Sequence, residues 1–135
     1  MLEIIIAAVI FFGDRRMKKY AEANMDVHHN YGSAVNMGAG KPRIVKVISV
    51  ILTIIVSICL VASLTGVGKY VLRCGLAFVL GGAFSNTYDR IKLGYVIDYV
   101  RIPIGHGLFS RLVWNIADFA IIIGALMVVL DTIKK

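Results

Sequence analysis

The chain is 135 residues long, 59% hydrophobic and 17% charged, with a mean hydropathy of +0.81. A soluble domain averages about 45–50% apolar and about 25% charged residues, so this composition excludes an ordinary soluble protein and points to a membrane. The net charge of +7 and sequence pI near 9.7 come from basic residues that flank apolar runs; with no soluble basic domain, nucleic acid is excluded as a partner, and anionic lipid headgroups or a charged peptide fit better.

The first apolar run, residues 1–13, is short against the roughly 17–25 residues a span needs. It reaches that length if the helix continues to residue 20, with Arg15, Arg16, Lys18 and Lys19 snorkelling to the interface. No basic stretch precedes it and no A-x-A-like site follows, so it is expected to stay as an anchor. Residues 22–43 are a polar connection, in which 30–35 reads as a short extended piece and Gly38-Ala39-Gly40-Lys41-Pro42 as a turn. His28 and His29 are adjacent and cannot share a face, so no metal site is expected there. Residues 44–64 are the clearest span, 65–69 a tight turn, and 70–89 a third span in which Ala77, Gly81 and Ser85 form a small-residue packing face. Cys59 and Cys74 lie in these runs as small hydrophobes, with no partner at metal-ligand spacing.

Residues 91–111 form a second long loop carrying Pro103, Gly105, His106 and Gly107, with a β-like stretch at 96–100. Residues 112–133 are the fourth span, where Trp114 takes an interfacial position. The expected architecture is an all-α membrane protein of one domain over 1–135: an antiparallel four-helix bundle with spans at about 1–20, 44–64, 70–89 and 112–133. Both termini lie on one side and both long loops on the other. Lys69, Arg73, Lys134 and Lys135 are on the short-loop side and the other eleven basic residues on the long-loop side. The positive-inside rule alone would put the long loops in the cytoplasm.

Intramembrane carboxylates are functional-site hypotheses by default. Asn86 and Asp89 are three apart, as are Asn115 and Asp118, so each pair shares a helical face. In antiparallel neighbours both reach the same depth, and Asp98 can fold back to join them, with Arg90 alongside to pair with Asp89 or bind substrate. Two carboxylates sharing a site do not both ionise easily, which lets one act as base towards water while the other holds a carbonyl. Residue spacing alone favours Asp89 as a member of the pair. A proton relay, an ion path or a buried structural pair uses the same residues, so a non-catalytic membrane module (a small transporter or a lipid- or lipopeptide-binding scaffold) is the alternative. No G-x-S-x-G elbow, H-E-x-x-H or G-x-G-D motif is present.

At these residues the chain resembles lipoprotein signal peptidase, or signal peptidase II. The family's third-span pattern appears as Gly81-Gly82-Ala83, Asn86-Thr87-Tyr88-Asp89-Arg90, Gly94 and Val96-Ile97-Asp98-Tyr99, and its fourth as Trp114-Asn115-Ile116-Ala117-Asp118. Asp14 and Lys18 match its first-span Asp-x-x-x-Lys, and Asn30-Tyr31-Gly32-Ser33-Ala34-Val35 its Asn-x-Gly-Ala-Ala-Phe. The resemblance implies an aspartic endopeptidase of the bacterial cytoplasmic (inner) membrane that cuts prolipoproteins before a diacylglyceryl-modified Cys. Its site faces the extracytoplasmic side beside a small β-cradle supplied by the first long loop. It implies Asp98 and Asp118 as the catalytic pair, not Asp89. Asn86, Asp89, Arg90 and Asn115 become the supporting or substrate-holding residues, and Asp14, Lys18, Asn30 and Gly32 line the site. Membrane lipid is a further implied partner and globomycin an inhibitor, with no metal or other cofactor. The Lys18–Asn30 interval is shorter than the family norm, which implies a trimmed cradle, and Val35, Tyr99 and Trp114 replace the usual Phe.

Overall fold

The computed structural model describes residues 1–32, 37–102 and 112–134. Four long helices and four short strands follow one another as α1 (Leu2–Asn24), β1 (His28–Asn30), α2 (Pro42–Ser63), α3 (Tyr70–Lys92), β2 (Val96–Asp98), β3 (Val100–Arg101), β4 (Val113–Trp114) and α4 (Ile116–Ile133). The helices α2 and α4 are long and apolar enough to cross a membrane. Their side chains Ile51, Leu52, Ile54, Ile58, Leu126 and Leu130 are each about half exposed or more. In water such a band would be an association liability; against hydrocarbon it is the expected outer surface.

Pro42 opens α2, where its missing N–H costs nothing. The polar side chains inside that helix are spent on it: Ser49 donates to the Val45 carbonyl, Thr53 to Ser49 and Ser57 to Thr53, each at 2.8 Å. This back-bonding removes hydroxyl groups that lipid would leave unsatisfied.

Helix α3 is the hub, packed against each of the other three. Small residues set its approach to both flanks. A Cβ on Gly81 would stand 2.7 Å from the Ala7 carbonyl of α1, and one on Gly75 2.8 Å from the Gly124 carbonyl of α4. One on Gly82 would collide with the Ala117 carbonyl of α4. Contact this close replaces the hydrophobic drive that is absent between helices in lipid. The expected stripe is therefore present, but not all of it is packing: the Ser85 hydroxyl is in the polar network described below.

The strands form two antiparallel ladders at the end of the bundle where α1 and α3 finish. In the first, His28, His29 and Asn30 pair with Asp98, Ile97 and Val96; in the second, Val100 and Arg101 pair with Trp114 and Val113. Gly94, at φ +85°, turns the chain from α3 into β2, a conformation that favours glycine. Ile97 and Tyr99 are buried with Ala21 of α1, so one side of the first ladder is anchored to that helix.

Several boundaries differ from those expected. Helix α1 runs four residues past 20, and α3 continues through Asp89 and Arg90 to Lys92. The fourth helix starts at Ile116 rather than 112, because Asn115 and Asp118 form a capping box that fixes its first turn. Trp114 is consequently on a strand, stacked on Phe119 at 6.1 Å. The extended piece of the first loop is 28–30 rather than 30–35, and it pairs with a strand of the second loop. Residues 33–35 of that motif, and Pro103, Gly105, His106 and Gly107, lie outside the described residues.

Candidate active site

Polar side chains from α1, α3, α4 and the first ladder meet at the ladder end of the bundle. The innermost is Lys18, fully buried, whose Nζ lies 2.8 Å from Asp14 Oδ2, 2.8 Å from Asp89 Oδ2 and 2.9 Å from Asn86 Oδ1. An ammonium has three donors, and all three are used. Asp14 and Asp89 are fully buried as well. Asp14 Oδ2 also accepts from the Ser85 hydroxyl at 2.6 Å, and its Oδ1 from the Tyr99 hydroxyl and the Ala117 backbone N–H at 3.2 Å each. Asp89 accepts from Arg15 and, at 3.3 Å, from the Ile97 backbone N–H. Buried Lys18 and half-buried Arg15 thus face two buried anions, the condition under which charges are tolerated inside a protein.

Outward from this core, two amides link two further carboxylates. Asn86 Nδ2 donates to Asp118 Oδ1 at 2.8 Å, while its Oδ1 accepts from Lys18 and, at 3.2 Å, from Asn115 Nδ2. Asn115 Nδ2 also donates to Asp98 Oδ1 at 2.7 Å, and its Oδ1 caps α4 by accepting from the Asp118 N–H at 2.9 Å. The second Asp98 oxygen accepts from Asn30 Nδ2 at 3.1 Å, and Asn30 Oδ1 is held by the Gly32 N–H at 3.0 Å. Arg90 Nη2 donates to the Gly32 carbonyl at 3.0 Å. Its buried Nε has no hydrogen-bond partner among the described residues.

All ten sequence-predicted residues are therefore in one cluster: Asp14, Lys18, Asn30, Gly32, Asn86, Asp89, Arg90, Asp98, Asn115 and Asp118. Asp89, favoured by spacing alone, is neutralised by Lys18 and Arg15, so of the two roles open to Arg90 it does not take the pairing with Asp89. Among the described residues, Asp98 and Asp118 have no such cation in direct contact; both are held by amides. Burial pushes the Asp98 carboxyl up to about 7, with the Asp118 charge adding in the same direction. A carboxyl that titrates near neutrality can both take and give a proton, which is what acid–base catalysis needs.

Three members were missed in the sequence. Ser85 reads there as a packing residue, although it precedes Asn86 and lies one turn before Asp89. Arg15 reads as part of a basic cluster, yet it caps Asp89 and lies 4.6 Å over the Tyr88 ring. Tyr99 stands where the resemblance has Phe, so nothing signalled its hydroxyl, which donates to Asp14 and accepts from the Ile116 N–H at 3.2 Å. Burial pushes this phenol above its usual range, so it stays a donor.

A family model described as signal peptidase (SPase) II matches residues 4–134. A lipoprotein signal peptidase of Alteromonas mediterranea is 34% identical over 116 residues, covering 83% of this chain and 62% of the relative. One of Pseudomonas fluorescens strain Pf0-1 is 37% identical over 109 residues, covering 79% and 64%. The chain thus spans less than two thirds of the length of these relatives. Two solved bacterial membrane enzymes share the fold: one at TM-score 0.79 and 23% identity, covering 99% of this chain and 94% of the other. The second has TM-score 0.78 and 24% identity, covering 98% and 88%.

Proposed function

The chain belongs to the signal peptidase II family, and from that premise we propose that it is an aspartic lipoprotein signal peptidase. All four helices cross the bacterial cytoplasmic membrane, and the two ladders are the cradle that receives the substrate on the extracytoplasmic side. The substrate is a prolipoprotein, cut before its diacylglyceryl-modified Cys. Globomycin-type cyclic peptides compete for the same cleft.

The observation that carries this reading is the Asp98–Asn115–Asn86–Asp118 chain of hydrogen bonds, which joins two carboxylates through two amides. The shared proton polarises the scissile carbonyl while the ionised partner takes a proton from water. The water oxygen bonds to the carbonyl carbon, the peptide C–N bond then breaks, and the dyad returns its proton to the leaving amine. Asn30, Asn86 and Asn115 hold the carboxylates by donating to them, so their orientation is fixed before substrate arrives. The unpartnered Arg90 Nε supplies a donor for a substrate backbone carbonyl. Asp14, Lys18, Asp89 and Arg15 brace α1 against α3 beneath.

The test is cleavage of a diacylglyceryl prolipoprotein by purified protein, followed on gels. Asp98→Asn and Asp118→Asn each abolish cleavage on this reading while leaving the fold intact. Normal turnover by either variant would remove that residue from the dyad. Lipopeptide binding without any cleavage by the unaltered chain would favour a scaffold instead.

A further inference from the structure

Apart from Arg15, Lys18 and Arg90, the basic residues on the long-loop side have no role in the chemistry above. Their placement coincides with a second feature. Helices α1 and α2 both pack on α3 and leave a groove between them of about 280 Å³. Phe11, Val50, Ile54, Phe84, Tyr88 and Ile91 line it. At its floor Thr53 donates to the Ser49 carbonyl at 2.8 Å and its oxygen lies 2.9 Å from the Thr87 hydroxyl, so both hydroxyls already have partners. The exposed wall is hydrocarbon.

The groove is not the cleft. Phe84, Thr87, Tyr88 and Ile91 recur at i, i+3, i+4 and i+7 on one face of α3. Gly82 and Asn86, which face α4, and Asp89, which faces Arg15 and Lys18, repeat on the opposite face. The groove runs roughly 10 Å along α3 at 1.5 Å per residue. At its mouth, on the ladder side of the bundle, cations gather from two helices. Lys46 and Arg43 continue the Val50–Ile54 face towards the start of α2, which has no acidic residue in its first turn. Lys19 lies one turn beyond Arg15, whose side chain is 26% exposed above the groove-lining Tyr88.

We propose that this groove seats one acyl chain of an anionic phospholipid, whose phosphate is held between Arg43 and Lys46 of α2 and Arg15 and Lys19 of α1. An apolar slot capped by cations matches a lipid with a charged headgroup. A diacylglyceryl group carries no charge and would not use the cap. The site needs the membrane crossing of α1–α3 proposed above, but not the peptidase activity.

The full-length protein, delipidated in neutral detergent, is offered phosphatidylglycerol and phosphatidylcholine with matched chains, and the lipid retained is read by native mass spectrometry. The expected result is one phosphatidylglycerol per chain with a preference of about tenfold or more. Arg43→Gln/Lys46→Gln, at surface positions, brings the preference close to unity. Ile54→Trp, which fills the groove, lowers retention of both lipids. Asp98→Asn keeps the preference, which separates the groove from the cleft. Equal retention of the two lipids by the unaltered protein, an undiminished preference in the double variant, unchanged retention by Ile54→Trp, or loss of preference in Asp98→Asn would each overturn the assignment.

Discussion

Lys18 holds three acceptors with no solvent to replace any of them, so shortening it strands two carboxylates at once. Removing one partner from a buried charge cluster costs about 3–5 kcal/mol. Lys18→Met should lower stability by that order in detergent-denaturation curves, and adding Asp14→Asn should recover part of the loss. Asp98 gives a different signature. Its folded-state carboxyl, pushed up to about 7, lies above the ordinary value near 3.9. The folded state therefore holds more protons than the unfolded state between those values, and this group's contribution to stability falls as pH rises through that window. The stability of Asp98→Asn relative to the unaltered protein should accordingly improve from pH 4 to pH 8 in thermal melts. Cleavage should decline above about pH 7, as the pair loses the proton it shares. Whereas Asp14, Lys18, Asn30 and Gly32 came only with the family resemblance, Asn86, Asp89, Arg90, Asp98, Asn115 and Asp118 were legible from side-chain type alone, because an ionisable or amide group in an apolar run needs partners. The Tyr99 hydroxyl was not, since a phenol at an aromatic position looks the same in sequence whether or not its oxygen is used.

Helix packing fixes where those groups point. The first turn of α4 carries Asp118, and the backbone next to it, at Ala117, touches Gly82 of α3. Gly82→Ala should push the start of α4 away from α3 and take Asp118 off line, costing about a hundredfold in turnover. Gly13→Ala is the control: its Cβ meets nothing within 4 Å, and it should be neutral or slightly stabilising in the same assay through helix propensity. The four apolar runs could be found by length and hydropathy. The location of β1 could not, because it is set by a partner distant in sequence, whereas the start of α4 is set by a local capping box whose Asn-x-x-Asp spacing reads in sequence only as a shared face. β1 exists as a strand because residues 96–98 pair with it, and a loop's composition does not reveal its partner. That same pairing brings Asp98 to Asn30, which is why spacing within one helix favoured Asp89.

At the scale of the whole chain, α3 is the central member and α2 a peripheral one, touching the bundle mainly through α3. The proposed orientation places the ladder end, with eleven of the fifteen basic residues, outside. It predicts that a cysteine at the exposed Ala23 position, in a Cys59→Ser/Cys74→Ser background, reacts with a membrane-impermeant thiol reagent in intact cells, while one at exposed Val67 does not. The reverse pattern would invert the molecule and withdraw the extracytoplasmic site. Charge counting alone gives the opposite orientation, since it treats a cation held by Asp89 or by a lipid phosphate as though it were free.

The distribution of charge between α1 and α3 also bears on the order in which the protein is built. Asp14 and Lys18 are four residues apart and neutralise each other within α1, so this pair can enter the bilayer already balanced during synthesis. Asp89 has its ion-pair partners in another helix, on Arg15 and Lys18. A carboxylate entering hydrocarbon alone is unfavourable, so α3 gains from finding α1 already in place. The N-terminal helix thus acts as a docking template for the one that follows two segments later, and moving it to the C-terminus by circular permutation would remove that guidance while preserving every contact of the finished protein.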